Sequence, residues 1–140
     1  MNFRTRTTIV AFVVVLLAGL VLAPATALAV GIGNHNVDFN GYLQNYPSSG
    51  QSTWFYTITS NSGGGGPAIS HVTFALGGCL TLVDAGTWSG TVPSPVTLNS
   101  GAGSPVLASP DPTTGVTGIK FDQGFSSGET RRYYFTVTGA

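Results

Sequence analysis

The sequence predicts an all-β fold: an antiparallel two-sheet, immunoglobulin-like β-sandwich that follows an N-terminal signal peptide. Three observations carry this expectation. Apolar and aromatic residues recur at every second position in four separate stretches, the period of a strand with one buried face. Gly, Ser, Pro and Asn cluster between those stretches, where tight turns need them. Lys, Glu, Ala and Leu are too scarce after residue 29 to build helix faces.

Residues 1–29 read as a targeting segment. Arg4 and Arg6 form a positive start, Ile9 to Leu22 is almost unbroken apolar sequence, and Ala27-Leu28-Ala29 supplies a small-residue cleavage site, with Ala25-Thr26-Ala27 the second choice. The apolar run is short of the roughly 20 residues that a spanning helix needs. Cleavage is therefore expected, with secretion or surface display and no membrane span afterwards. Residues 30–140 then form a single domain, close to the size of an immunoglobulin-like sandwich. Within it Lys120, Arg131 and Arg132 face five carboxylates, a net charge of −2. Nucleic acid is excluded as a partner, because its phosphates demand a basic stripe. Cys79 is the only cysteine, so no intrachain disulfide exists, and a small buried hydrophobe is the expected role.

In order, residues 30–36 are expected to be loose, with strand character beginning at Val37 and Phe39 and reaching toward Leu43. Pro47-Ser-Ser-Gly50 turns the chain. Thr53 to Thr59 follows, with Trp54, Tyr56 and Ile58 on one face and Thr53, Phe55, Thr57 and Thr59 on the other. Asn61 to Pro67 is a glycine loop without the Lys-Ser/Thr of a phosphate loop. Ile69 to Leu76 places Val72, Phe74 and Leu76 inward. Gly77-Gly78 is a turn or bulge, Cys79 to Val83 a short strand, and Asp84-Ala-Gly86 another turn. Trp88 to Val92, Val96 to Leu98 and Val106-Leu107 are weaker strands, confined toward edges by Pro93, Pro95 and Pro105. Val116 to Phe121 brings Ile119 and Phe121 inward. In the final strand Tyr133, Phe135 and Val137 share the inner face, and Arg132, Tyr134, Thr136 and Thr138 the outer one.

Little here points to chemistry. Ser70 and His71 are neighbours on an expected strand, where successive side chains diverge, so no nucleophile–base hydrogen bond is expected. His35 and His71 lack a third metal ligand at usable spacing. Asn36, Asp38 and Asn40 before Gly41 resemble the start of a calcium loop, but Pro47 stands where its closing Glu belongs. Asp84, Asp111 and Asp122 sit in turn contexts that use the carboxylate to cap backbone N–H groups. No catalytic residue, metal or cofactor is therefore assigned, and no enzymatic activity is expected. Tyr42, Phe55 and Tyr134 are expected to face outward; as neighbours they would form a platform for sugar stacking or for a partner chain.

Ile69-Ser-His-Val-Thr-Phe-Ala-Leu-Gly-Gly-Cys79, paired with Asp111-Pro-Thr-Thr-Gly-Val-Thr-Gly-Ile-Lys-Phe-Asp122 and an aromatic last strand, resembles uncharacterised β-sandwich domains of secreted and surface-attached microbial proteins. The resemblance covers roughly Trp54 to Thr138. It implies export and a surface or matrix setting with a structural or adhesive role, and no activity; the alternative is a carbohydrate-binding module. Self-association through sheet edges, or extracellular glycans, are the expected partners. The arm from Val30 to Asn36 could add as a strand to a neighbour's edge, or it could pair within its own domain.

Overall fold

The computed structural model describes residues 29–32, 35–61 and 69–139. The expected signal peptide lies outside them except for Ala29, as does most of the glycine loop before Ile69. The described residues form nine strands and no helix: β1 (Ala29–Ile32), β2 (His35–Gln44), β3 (Gln51–Ser60), β4 (Val72–Ala75), β5 (Thr81–Gly90), β6 (Val96–Ser100), β7 (Pro105–Ala108), β8 (Gly118–Phe121) and β9 (Thr130–Thr138). They make two antiparallel sheets, ordered β1-β2-β3-β9-β5-β6 and β4-β8-β7, in a sandwich-like arrangement.

The alternation in β3 and β9 sets the packing. Trp54 pairs with Phe135 and Tyr56 with Tyr133, which aims these rings at the small sheet. Phe74, Ile119 and Phe121 meet them from β4 and β8. Phe121 and Tyr133 rings lie 4.4 Å apart, and Phe74 and Tyr56 4.8 Å. Each such ring or branched chain taken out of water contributes about 1.5–3 kcal/mol. The inward residues expected from the pattern do form this core.

The opposite face of the large sheet is also buried, which alternation did not lead one to expect. Phe55, Trp88 and Tyr134 form a second cluster, covered by Leu43, Tyr46, Val92, Val96 and Leu98. The β5–β6 loop reaches across this face as far as β2, where a Cβ on Gly41 would sit 3.2 Å from the Val92 side chain. Gly41 has φ +129°, a conformation suited to glycine, and the β2 register shifts between Phe39 and Gly41. β9 is thus buried on both faces from Tyr133 to Val137, being flanked by β3 and β5.

Several boundaries differ from expectation. The arm is no loose segment: β1 pairs with β2 from Ala29↔Asp38 to Ile32↔His35. Asp84 to Gly86 does not turn but runs through the middle of β5, with a register shift between Leu82 and Asp84. The residue left over by the shift is Val83, so Asp84, Ala85 and Gly86 all stay in register with β9. Gly86 permits close strand approach, since a Cβ there would overlap Asn99 O of β6. Cys79 is exposed, not buried. It lies in a turn closed by Leu80 N–H donating to Gly77 O at 2.9 Å.

Candidate functional site

Tyr42, Phe55 and Tyr134 do not form a platform. Phe55 and Tyr134 pair across β3 and β9 and are both fully buried in the second cluster. Tyr42 is 51 % exposed and lies on the other face, stacked on Trp54 with centroids 5.2 Å apart. The physical reason is the cover supplied by Val92, Val96 and Leu98, which the proline-rich sequence around them concealed. The Tyr134 hydroxyl donates to Asp84 Oδ2 at 2.6 Å, and burial together with this carboxylate pushes its pKa well up.

One concavity among the described residues lies elsewhere, beside β4. It is a slot of about 440 Å³ lined by Ile69, Ser70, His71, Val72 and Thr73, by Val37 and Ile58 on the inner face of β2 and β3, and by His35 and Thr114. Five consecutive residues of an extended segment cannot all face one side of it. The slot therefore follows the edge of the segment, with β2 and β3 as its floor. Among the described residues β4 has a strand neighbour on one side only, β8. Leu76 N–H donates to Thr117 O across that pair at 3.2 Å. Bonding positions alternate in an antiparallel ladder, so Val72 and Phe74 bond toward β8. Thr73 and Ala75 turn their N–H and C=O toward the open side.

At the rim Ser70 Oγ and His71 Nδ1 are hydrogen-bonded at 3.0 Å, contrary to the divergence expected of strand neighbours. The strand starts only at Val72, so the rule of alternating faces does not govern these two residues. Beyond the ring, His71 Nε2 lies 3.8 Å from Oδ1 of Asp111, which is fully buried. Asp111 Oδ1 accepts the backbone N–H of Thr113 and Thr114 at 2.8 and 2.9 Å, and Lys120 Nζ stands 3.3 Å from Oδ2. The Thr114 amide foremost, with Thr113 and Lys120, holds the Asp111 pKa below its ordinary 3.8, at about 2, against the opposing effect of desolvation. Lys120 also pairs with Asp122 at 3.0 Å, and its pKa is raised, chiefly by that contact. The Asp-Pro-Thr-Thr-Gly turn was readable as a capping site. Its burial was signalled only by Lys120 standing in the otherwise apolar run Ile119 to Phe121.

The row from Ser70 to Asp111 has the residue types of a nucleophile relay, but its geometry is poor for that work. A gap of 3.8 Å exceeds hydrogen-bonding distance, and the Asp111 charge is already met by Lys120 and two amides. Asp111 therefore does not orient the His71 ring through a hydrogen bond. Asn40, read as part of a failed calcium loop, accepts the Thr57 hydroxyl at 2.8 Å instead. Among the described residues no group of three His, Cys, Asp or Glu could hold a metal ion, and no helix is long and apolar enough to cross a membrane. No protein-family model, curated protein or solved structure matches this chain.

Proposed function

We propose that the chain is an exported, immunoglobulin-like β-sandwich module of the cell surface or extracellular matrix, structural or adhesive in role and without catalytic activity. The observation that carries the non-catalytic part is the use made of the carboxylates. Asp84 accepts from Ala85 N–H, Ser100 Oγ–H and Tyr134 O–H. Asp111 caps its own turn, Asp122 holds Lys120, and Glu129 accepts the Ser126 N–H at 2.7 Å. General acid–base work needs a carboxylate or imidazole free to exchange protons with a substrate, and these four are engaged in holding loops and strands. The leader-like residues 1–29 support export, and the near absence of cations argues against nucleic acid.

Two measurements test this. Expression of the full chain in a secreting host, followed by fractionation, is expected to deliver protein outside the cytoplasm with residues 1–29 removed; retention of the intact chain in the cytoplasm contradicts export. A fluorophosphonate probe is expected to leave Ser70 unlabelled, and ester and polysaccharide screens are expected to show no turnover that Ser70→Ala or His71→Ala abolishes. A second reading, glycan binding, is favoured by one feature, the exposed Tyr42 ring stacked on Trp54, since paired aromatic faces suit sugar rings. Glycan-array binding that disappears in Tyr42→Ala would select it.

A further inference from the structure

We propose that β6 is a self-pairing edge. Two copies of this chain join antiparallel along it, about a two-fold axis at Leu98, and their two six-stranded sheets become one. Self-pairing does not depend on the surface role proposed above.

Among the described residues β6 has a strand neighbour on one side only, β5. The hairpin bonds show which backbone groups face the other side. Thr91 N–H donates to Pro95 O at 2.8 Å, and Gly101 N–H to Ala85 O at 2.9 Å. Bonded pairs alternate along an antiparallel ladder, so Thr97 and Asn99 also bond to β5. Val96, Leu98 and Ser100 therefore direct N–H and C=O away from it, and among the described residues no other strand meets them. β6 is also the longest of the four edge strands, five residues against four in β1, β4 and β7. Exposed edges are ordinarily blunted by charge, proline or a bulge. Val96 to Ser100 contains no charge, no proline and no register shift.

The edge is complementary to itself. In an isologous contact the same strand is donor and acceptor, and residues meet when they are placed symmetrically about the axis. An axis at Leu98 sets Leu98 against its own copy and Val96 against Ser100, so all three outward residues pair. Moving the axis to Thr97 or Asn99 leaves one of the three without a partner. Facing side chains then match in kind. Leu98 meets Leu98 on the face where it and Val96 cover the second cluster, and the exposed Thr97 of each copy meets the exposed Asn99 of the other. Charge points the same way. A two-fold contact brings each charge near its like, which opposes pairing, and no Lys, Arg, His, Asp or Glu occurs from Ala85 to Pro110. That stretch holds β7 as well, whose Val106 and Leu107 are 49 % and 63 % exposed. Only Gly101 to Ser104 link β6 to β7, which keeps these apolar side chains near the same neighbour.

The test uses residues 29–140, which hold every described strand. Sedimentation over a dilution series is expected to show a monomer–dimer equilibrium. As the protein is concentrated, amide exchange is expected to slow at Val96, Leu98 and Ser100 and to stay unchanged at Thr97 and Asn99, which are already bonded to β5. Thr97→Lys and Asn99→Glu change exposed side chains without touching the β5 ladder. Each alone is expected to weaken the dimer severalfold, because like charges then meet near the axis. An equimolar mixture of the two variants is expected to recover pairing, since the introduced ammonium faces the introduced carboxylate across the strands. A protein that stays monomeric at every concentration, a dimer that leaves the β6 amides unslowed, or a mixture no tighter than the separate variants overturns the proposal. So does slowing of the same amides by a blocked hexapeptide of alternating threonine and valine while the protein itself stays monomeric, which would assign the edge to a different partner. None of these results bears on export or on catalysis, so failure of self-pairing is distinct from failure of the surface role.

Discussion

Phe55 and Tyr134 face each other across β3 and β9 on the side of the large sheet that the sequence pattern assigns to solvent. Beside them Thr53 and Thr136 are fully buried and share a hydrogen bond of 2.8 Å between their hydroxyls. Thr53 Oγ donates to Tyr46 O at 2.7 Å, which leaves the Thr136 hydroxyl as the donor to Thr53. Satisfied threonines in a core are indistinguishable, in sequence, from threonines on a wet face, and this is why the second cluster was illegible. Phe55→Ala is accordingly expected to cost about 3–5 kcal/mol, and Tyr42→Ala no more than about 1 kcal/mol, the worth of its stacking on Trp54. Urea denaturation of the two variants checks the contrast. Tyr134→Phe leaves Asp84 short of a donor and is expected to cost about 1–2 kcal/mol, toward the low end for a bond to a charged group because Asp84 is only half-buried. Asp111 supplies a pH signature. Its folded pKa, about 2, lies below its ordinary 3.8, so its contribution is present above that ordinary value and is lost as pH falls toward 2. Asp111→Asn is expected to be less stable at neutral pH and to show a shallower loss of stability between about pH 4 and pH 2. An unchanged acid slope would remove Asp111 from the account.

At the scale of elements, the legible strands were those whose two faces differ in kind. β3 and β9 announced their inner residues through Trp54, Tyr56, Tyr133 and Phe135, and β8 through Ile119 and Phe121. β5 was misread as two strands about a turn, because Asp84-Ala85-Gly86 has turn composition while its actual constraints are tertiary. The Asp84 carboxylate is occupied by Ser100 and Tyr134, and Gly86 admits the β6 backbone. Gly86→Ala should therefore force β6 away from β5, since the added methyl meets Asn99 O and comes within 3.1 Å of the Tyr134 ring. A loss of about 1–3 kcal/mol is expected, with faster amide exchange along β6 in the variant. A neutral or stabilising effect would contradict the close approach. The Ser70–His71 contact was missed for the opposite reason: the strand was drawn too long, and the rule of diverging neighbours was applied to residues that precede it.

At the scale of the molecule, the two sheets formed by the described residues are unequal, six strands against three. β9 is central and covered on both faces, while β4 is an edge whose floor extends past it. Composition and alternation had suggested an all-β sandwich, but which edge would be paired on one side only depended on the strand order, and no local pattern encodes that. The central claim is that a rigid β3–β9 interior lies beside an edge at β4 that, among the described residues, is paired on one side only. Amide hydrogen exchange of residues 29–140 at low concentration, resolved residue by residue, tests it most directly. The slowest amides are expected in β3 and β9 from Thr53 to Ile58 and from Tyr133 to Val137, where local opening requires disruption of both clusters. Within β4, Val72 and Phe74 are expected to be protected while Thr73 and Ala75 exchange freely. Protection of Thr73 and Ala75 in the dilute protein, or exchange in β9 as fast as in β7, would contradict it.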